Sequence, residues 1–390
     1  MDLSRRDILK LGAIGAAGTA GAAQLPWGGL IGAADASLLA PRDMPRPFRN
    51  AFVRPQVLRP DRSRRDADGV WTDHYTIRER AKWARILPTL PTLLWTYNGM
   101  SPGPTIKVRR GRRARVSVRN ELPATHRSLG QPSNTSVHLH GSASLPQYDG
   151  YASDVTRSGW VKEYRYPNFQ PARTLWYHDH GVHHTAKNAY AGLYAQYHMH
   201  DREEMELLPQ GEFDVPITVA DALFKANGQL TIGDDESGMW GDVILVNGRP
   251  WPVMKVKRRI YRFRILVASI SRSYRFQLGD GDPVTMVATD GGLMPKAREV
   301  NQWRQASAER YEVLVDFRRY KPGQRVVLRN LSNDNNRDHD NTDKVMAFDV
   351  TDAPFSKRDH TWSRMPDTLA GSPVMRLREA DATRTRRLRL

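Results

Sequence analysis

Twenty-nine glycines and 25 prolines break this chain of 390 residues too often for a helical bundle or a run of alternating strands and helices. Between the breaks lie short segments rich in β-branched and aromatic residues, such as Thr135 to His140, Leu175 to His180, Ile260 to Leu266 and Val313 to Phe317. Helical periodicity is scarce, so the expectation is an all-β molecule. The outline repeats loosely: an Asn-Gly turn at Asn98-Gly99 returns at Asn247-Gly248, each ahead of a proline and an alternating basic and apolar strand. Two consecutive β-sandwich or barrel domains of similar size are expected, over residues 41–205 and 206–352, meeting at the polar, acidic stretch Asp201 to Pro209. A linker containing proline follows the second.

Basic residues outnumber acidic ones by 59 to 42, a net charge of +17. Such a balance invites a nucleic-acid reading, but its distribution argues otherwise. The densest basic run, Lys107 to Arg115, continues through Val116, Val118 and Arg119 and alternates apolar and charged residues around Gly111. That pattern predicts two half-buried strands joined by a turn, with arginines on the wet face. No nucleic-acid motif or aromatic platform accompanies it. The stretch Asn333 to Asp343 reads as a surface loop, having neither periodicity nor bidentate spacing.

Residues 1–36 read as an export signal. Arg5 and Arg6 precede a Gly/Ala-rich apolar run from Leu11 to Ala23, and Ala34 to Ala36 supplies small residues for cleavage. The paired arginines resemble a twin-arginine address, which implies an extracytoplasmic protein that folds before export. The run is too short and too weakly apolar for a membrane span, so none is expected after cleavage.

Cysteine is absent. That excludes disulfides, thiolate zinc sites, iron–sulfur clusters, cysteine nucleophiles and a Cys-ligated blue copper within these residues. Any metal must be held by His, Met or oxygen. Four of the 12 histidines form two His-X-His pairs, His138/His140 and His178/His180, each ending a strand-like segment and each followed by glycine. On a strand, residues i and i+2 share a face, roughly 6 to 7 Å apart, so each pair presents two imidazoles to one side. Neutral imidazole favours zinc, copper, iron or nickel, and affinity along the first row peaks at copper.

These pairs, with Pro102 to Ile106, Asp149-Gly150, Leu175 to His180, Asn247-Gly248, Pro252 and the strand from Tyr261 to Leu266, resemble the multicopper oxidases. The likeness is to the bacterial laccase, bilirubin oxidase and phenoxazinone synthase branch. It runs in order from about Pro41 to Val350. The resemblance implies cupredoxin-like Greek-key barrels, with His138 on a type 2 copper and His140, His178 and His180 on a type 3 pair. Asp149 would assist proton delivery, although a turn-forming Asp before Gly150 explains it nearly as well. In the family a type 1 copper takes single electrons from phenolic, pyrrolic or metal substrates, and the trinuclear cluster reduces dioxygen to water.

The family carries its remaining cluster ligands and its type 1 cysteine in a third cupredoxin domain. Residues 353–390 are expected to give only a linker and, from Ala382 onward, the first strand of that domain, with a separate chain or continuation supplying the rest. Turnover by these residues alone is therefore doubtful. A copper-binding or storage protein without turnover and an interaction protein on a cupredoxin scaffold are the other readings. The remaining histidines take plainer assignments: His198 and His200 at a strand end where the family has no ligand, His183 and His184 in a loop beyond the second pair, and His74, His126, His339 and His360 on the surface or in loops. Trp176 and Tyr177 read as packing.

Overall fold

The computed structural model describes residues 36–233, 238–334, 336–354, 365–369 and 378–389. Residues 1–35 of the expected export signal, His360 and much of the expected linker lie outside them.

The first half contains β1 (Val57–Leu58), β2 (Arg62–Arg65), β3 (Trp71–Ala84), β4 (Thr92–Tyr97), β5 (Thr105–Arg109), β6 (Arg113–Asn120), β7 (Val137–His140), β8 (Val161–Tyr166), β9 (Arg173–Asp179) and β10 (Tyr194–His200). They make two sheets, ordered β1-β5-β10-β9-β7 and β2-β3-β6-β8, with β4 on β3. The alternation that marked Lys107 to Arg119 is the cause of this layering. Ala114, Val116 and Val118 of β6 turn into the core while Arg113, Ser117 and Arg119 stay at the wet face. The two strands flank a turn at Gly111, where φ is +83°. They do not pair with each other. β5 joins β10 in parallel and β6 joins β3, so the turn carries the chain from one sheet to the other.

The second half contains β11 (Asp214–Phe224), β12 (Leu230–Thr231), β13 (Val243–Val246), β14 (Arg249–Pro250), β15 (Val253–Lys257), β16 (Ile260–Val267), β17 (Tyr274–Leu278), β18 (Val284–Thr289), β19 (Gly292–Val300), β20 (Gln302–Gln305), β21 (Arg310–Asp316), β22 (Arg325–Leu331) and β23 (Lys344–Thr351). Its sheets run β14-β13-β11-β16-β21-β18-β19, with β12 on β11, and β15-β23-β22-β17-β20. The fold is all-β and cupredoxin-like.

Two short helices flank β10. α1 (Thr185–Tyr190) lies between β9 and β10, and α2 (Arg202–Leu207) between β10 and β11. Asp201 caps α2 by accepting the Glu204 amide at 2.9 Å, and its second oxygen accepts the Ala172 amide at 2.9 Å. The acidic stretch Asp201 to Pro209 is thus a capped helix whose Glu204 is fully buried.

Every residue of β11, and every residue of β16, is buried, because these strands lie between the two halves. Gln196 of β10 stitches the seam, its amide donating to the Ile217 carbonyl at 3.1 Å and the Arg264 carbonyl at 3.2 Å. Residues 34–390 form one compact unit. Among the described residues no helix is long and apolar enough to cross a membrane. Residues 382–389 are exposed and carry no strand.

Candidate metal centre

β7 and β9 run antiparallel in a register that sets His138 directly opposite His178, and His140 opposite Trp176. His180 stands just past the end of β9, its amide bonded to the Ser136 carbonyl at 2.6 Å. Two i, i+2 pairs on adjacent strands therefore put all four imidazoles on one face. The His138 ring centroid lies 5.5, 5.6 and 5.3 Å from those of His140, His178 and His180. Ring nitrogens of His138, His140 and His178 come within 4.8 Å of one another.

Main-chain acceptors orient the rings. His138 Nδ1 donates to the Asp149 carbonyl, and His178 Nδ1 donates to the Asp179 carbonyl at 2.7 Å, which puts the lone pair of each ring on Nε2. His140 Nδ1 lies 3.4 Å from His178 Nε2. Trp176 stacks on His178 at 4.0 Å and on His140 at 5.3 Å. Burial pushes the His140 imidazole down to about 4 and that of His178 down to about 3, and holds His138 below its usual range. All three are neutral at pH 7, so a metal has no proton to displace from them.

Asp179, between His178 and His180 at the end of β9, points the opposite way and is fully buried. Its carboxylate accepts from the Ser136 amide at 2.8 Å, the Gly181 amide at 3.0 Å and the Asn188 side chain of α1 at 2.8 Å. Desolvation pushes its carboxyl up to about 6. The sequence reading missed this residue. The signal was present, since an acid alternating with histidines on a strand must face the core and find donors there.

Asp149 contributes its carbonyl to His138 and places a carboxylate oxygen 3.5 Å from the same Nδ1, with 44% of its side chain exposed. Arg310 of β21 reaches the site from the second half; its Nε donates to the Thr174 carbonyl at 3.0 Å. A Cβ on Gly141 would lie 2.6 Å from the Arg310 guanidinium, so the glycine that follows His140 is what admits it.

A metal fits this face. The buried Nδ1 of His180 has no hydrogen-bond partner, and an orphaned ring nitrogen in a desolvated cluster of imidazoles is the arrangement a cation satisfies.

The other histidines divide. His183 is exposed and His184 precedes α1, both in the loop beyond β9, and His339 sits in a loop with Nε2 bonded to the Trp240 carbonyl at 3.0 Å. His74 is a correction, and His126 is more buried than a loop position suggests. His126 lies in a loop, as one of the two expected placements had it, and is 1% exposed against Trp95, because its Nδ1 takes two main-chain amides and the ring has to turn inward. His74 lies within β3 and is half-buried, since its neighbours Arg62 and Arg115 come from paired strands on either side. His198 and His200 do end a strand and lead into Asp201, but both are buried at the seam between the halves.

Comparison with known proteins agrees with this geometry. Two family descriptions, each given as multicopper oxidase, match residues 80–204 and 176–351. The chain is 42% identical over 299 residues to the bilirubin oxidase of Albifimbria verrucaria, covering 73% of this chain and 50% of that protein. It is 36% identical over 334 residues to the laccase of Bacillus subtilis, covering 76% and 64%. It thus spans between half and two thirds of these relatives' length. Among solved structures, the laccase of Pediococcus acidilactici superposes with a TM-score of 0.71 at 29% identity, over 88% of this chain and 72% of that one. The chain belongs to the multicopper oxidase family.

Proposed function

We propose that His138, His140, His178 and His180 hold copper as one half of an oxygen-reducing centre, with His138 on the type 2 ion and the other three on the type 3 pair. The observation that carries this reading is the convergence of four imidazoles on one face, three of them kept neutral by burial. Copper bound there would hold and polarise dioxygen, and the electrons would come singly from a phenolic, pyrrolic or metal reductant. The chain's own residues do the rest. The Asp149 and Asp179 carbonyls fix two rings, Trp176 covers His178 and His140, and the half-exposed Asp149 carboxylate can pass protons between solvent and the site.

No cysteine occurs in these 390 residues, so the thiolate of a type 1 centre has to come from a separate chain or a continuation that carries the third cupredoxin domain. The arginine pair at Arg5 and Arg6 supports an extracytoplasmic setting reached by the twin-arginine route. The same lack of a thiolate favours a second reading, a copper-holding protein without turnover.

Titration of the purified chain with Cu2+, followed by elemental analysis, tests the site. His138→Ala combined with His140→Ala should lose at least one equivalent of copper relative to the parent, and unchanged copper content would refute the assignment. Oxygen consumption by the loaded chain with a phenol then separates the two readings.

A further inference from the structure

A second group of ligand-type side chains lies outside the four-histidine face, at the seam between the two halves. A ring nitrogen of His198, a ring nitrogen of His200 and a carboxylate oxygen of Asp214 all fall within 4.8 Å of one another. All three residues are buried, at 0%, 8% and 0% exposure.

Hydrogen bonding fixes the tautomer of both rings. The Gln196 amide nitrogen donates to the Ile217 and Arg264 carbonyls and to the Thr218 hydroxyl, so its oxygen is an acceptor, and His198 Nε2 must donate to it at 2.7 Å. The lone pair of His198 is then on Nδ1. Glu204 accepts from the Arg262 and Arg264 guanidiniums at Oε1, the pairing of a carboxylate, so His200 Nδ1 donates to its Oε2 at 3.1 Å. The lone pair of His200 is then on Nε2. Both His198 Nδ1 and His200 Nε2 are buried without any hydrogen-bond partner. Each ring therefore turns a lone pair to an unsatisfied buried position while its other nitrogen is anchored by an acceptor, which is how protein-bound metals are commonly presented with imidazole.

Glu204, Asp214 and Glu312 face the buried guanidiniums of Arg262 and Arg264, three negative charges against two positive. Lys107 Nζ, 3.5 Å from Asp214, and Arg54, which binds the Asp214 carbonyl at 3.0 Å, bring the positive charges to four, so an entering cation takes the place of the Lys107 ammonium beside Asp214. Asp214 accepts from Arg264 at 2.6 and 3.2 Å and from Lys107, which leaves room for one more partner on a group with about four lone-pair sites. Lys107 and His200 also line an open cleft of about 480 Å³ with Arg109, Arg112, Met205 and Gln210, which gives an ion a way in and the lysine a way out.

We propose that His198, His200 and Asp214 form a second metal site, for a divalent first-row cation such as Zn2+ or Cu2+, distinct from the four-histidine centre. Two imidazoles and one carboxylate are the donor set such ions take. Because β10 supplies the histidines and β11 the aspartate, the ion clasps the two halves of the molecule.

The test uses the full chain with Zn2+ as probe. His200→Gln keeps a donor for Glu204 and removes the inward lone pair. The parent should bind one more equivalent of Zn2+ than this variant, and Zn2+ should raise the melting temperature of the parent by several degrees more than that of the variant, which keeps the four-histidine face. Equal stoichiometry would overturn the site. Should the variant fail to fold, diffraction of parent crystals grown with Zn2+ decides: an anomalous peak at the zinc edge beside His198, His200 and Asp214 supports the proposal, and a density without anomalous signal, which is a buried water, overturns it.

Discussion

Gly150 has a φ of +78°, and a Cβ there would stand 2.3 Å from the Val137 carbonyl oxygen. Only a residue without a side chain lets the loop lie this close to β7, and the closeness is what delivers the Asp149 carbonyl to His138. Gly150→Ala is expected to cost about 2 kcal/mol by denaturant unfolding and to weaken copper binding about tenfold, since the ring loses its orienting acceptor. His126 makes a second case at this scale. Burial pushes its imidazole down to about 4. The unfolded chain takes up that proton below about pH 6.5 and the folded chain only below about 4, so between these values acidification favours unfolding, by at most about 1.4 kcal/mol per pH unit. Above pH 6.5 neither state carries the proton and the effect vanishes. His126→Gln should flatten this part of the stability profile between pH 7 and 5; equal losses in parent and variant would show that the ring titrates freely.

Elements explain why the two pairs become one site. A shift of β7 by one residue would turn both of its histidines to the opposite face, so whatever pins the register of β7 on β9 also makes the site. Asp179 does much of this pinning, joining β9 to the Ser136 amide at the start of β7 and to Asn188 of α1. Asp179→Ala would leave three buried donors unsatisfied. We expect about 3 kcal/mol of destabilisation and loss of copper from His178 and His180 together, read by denaturation and by copper titration. The histidine face was legible in sequence because i, i+2 spacing and strand chemistry are local properties. So was the Asn98 and Asn247 repeat: both asparagines sit at positive φ, and each side-chain oxygen accepts a neighbouring strand's amide, from Arg78 at 2.7 Å and from Thr218 at 2.8 Å. What escaped was everything decided by a distant partner. That β5 and β6 belong to different sheets depends on β10 and β3, and the burial of His198 and His200 depends on β11 and β16, none of which leaves a trace in the local pattern.

Across the whole molecule the same distance dependence reverses the reading of charge. Arg262 and Arg264 alternate with Tyr261, Phe263 and Ile265 as wet-face arginines would, yet both are fully buried, because β16 runs through the seam where the two halves meet. Arg264 there holds Asp214, Glu204 and Glu312 together, carboxylates supplied by β11, α2 and β21. Arg264→Met keeps the volume and removes the charge, stranding carboxylates that water cannot reach. A loss of about 3 to 5 kcal/mol is expected, the range for breaking one partner out of a buried ion group. Because residues 34–390 form one compact unit, the loss should lower a single unfolding transition rather than split off one half. Raising the salt should not shrink it, since counterions have no access to the seam. The exposed pair Arg202 and Glu206, 2.7 Å apart on α2, gives the contrast: Arg202→Ala should change stability by no more than about 0.5 kcal/mol, and that small effect should fade in salt. Comparable, salt-sensitive losses in both variants would mean that water reaches Arg264 and that the halves are not sealed against each other.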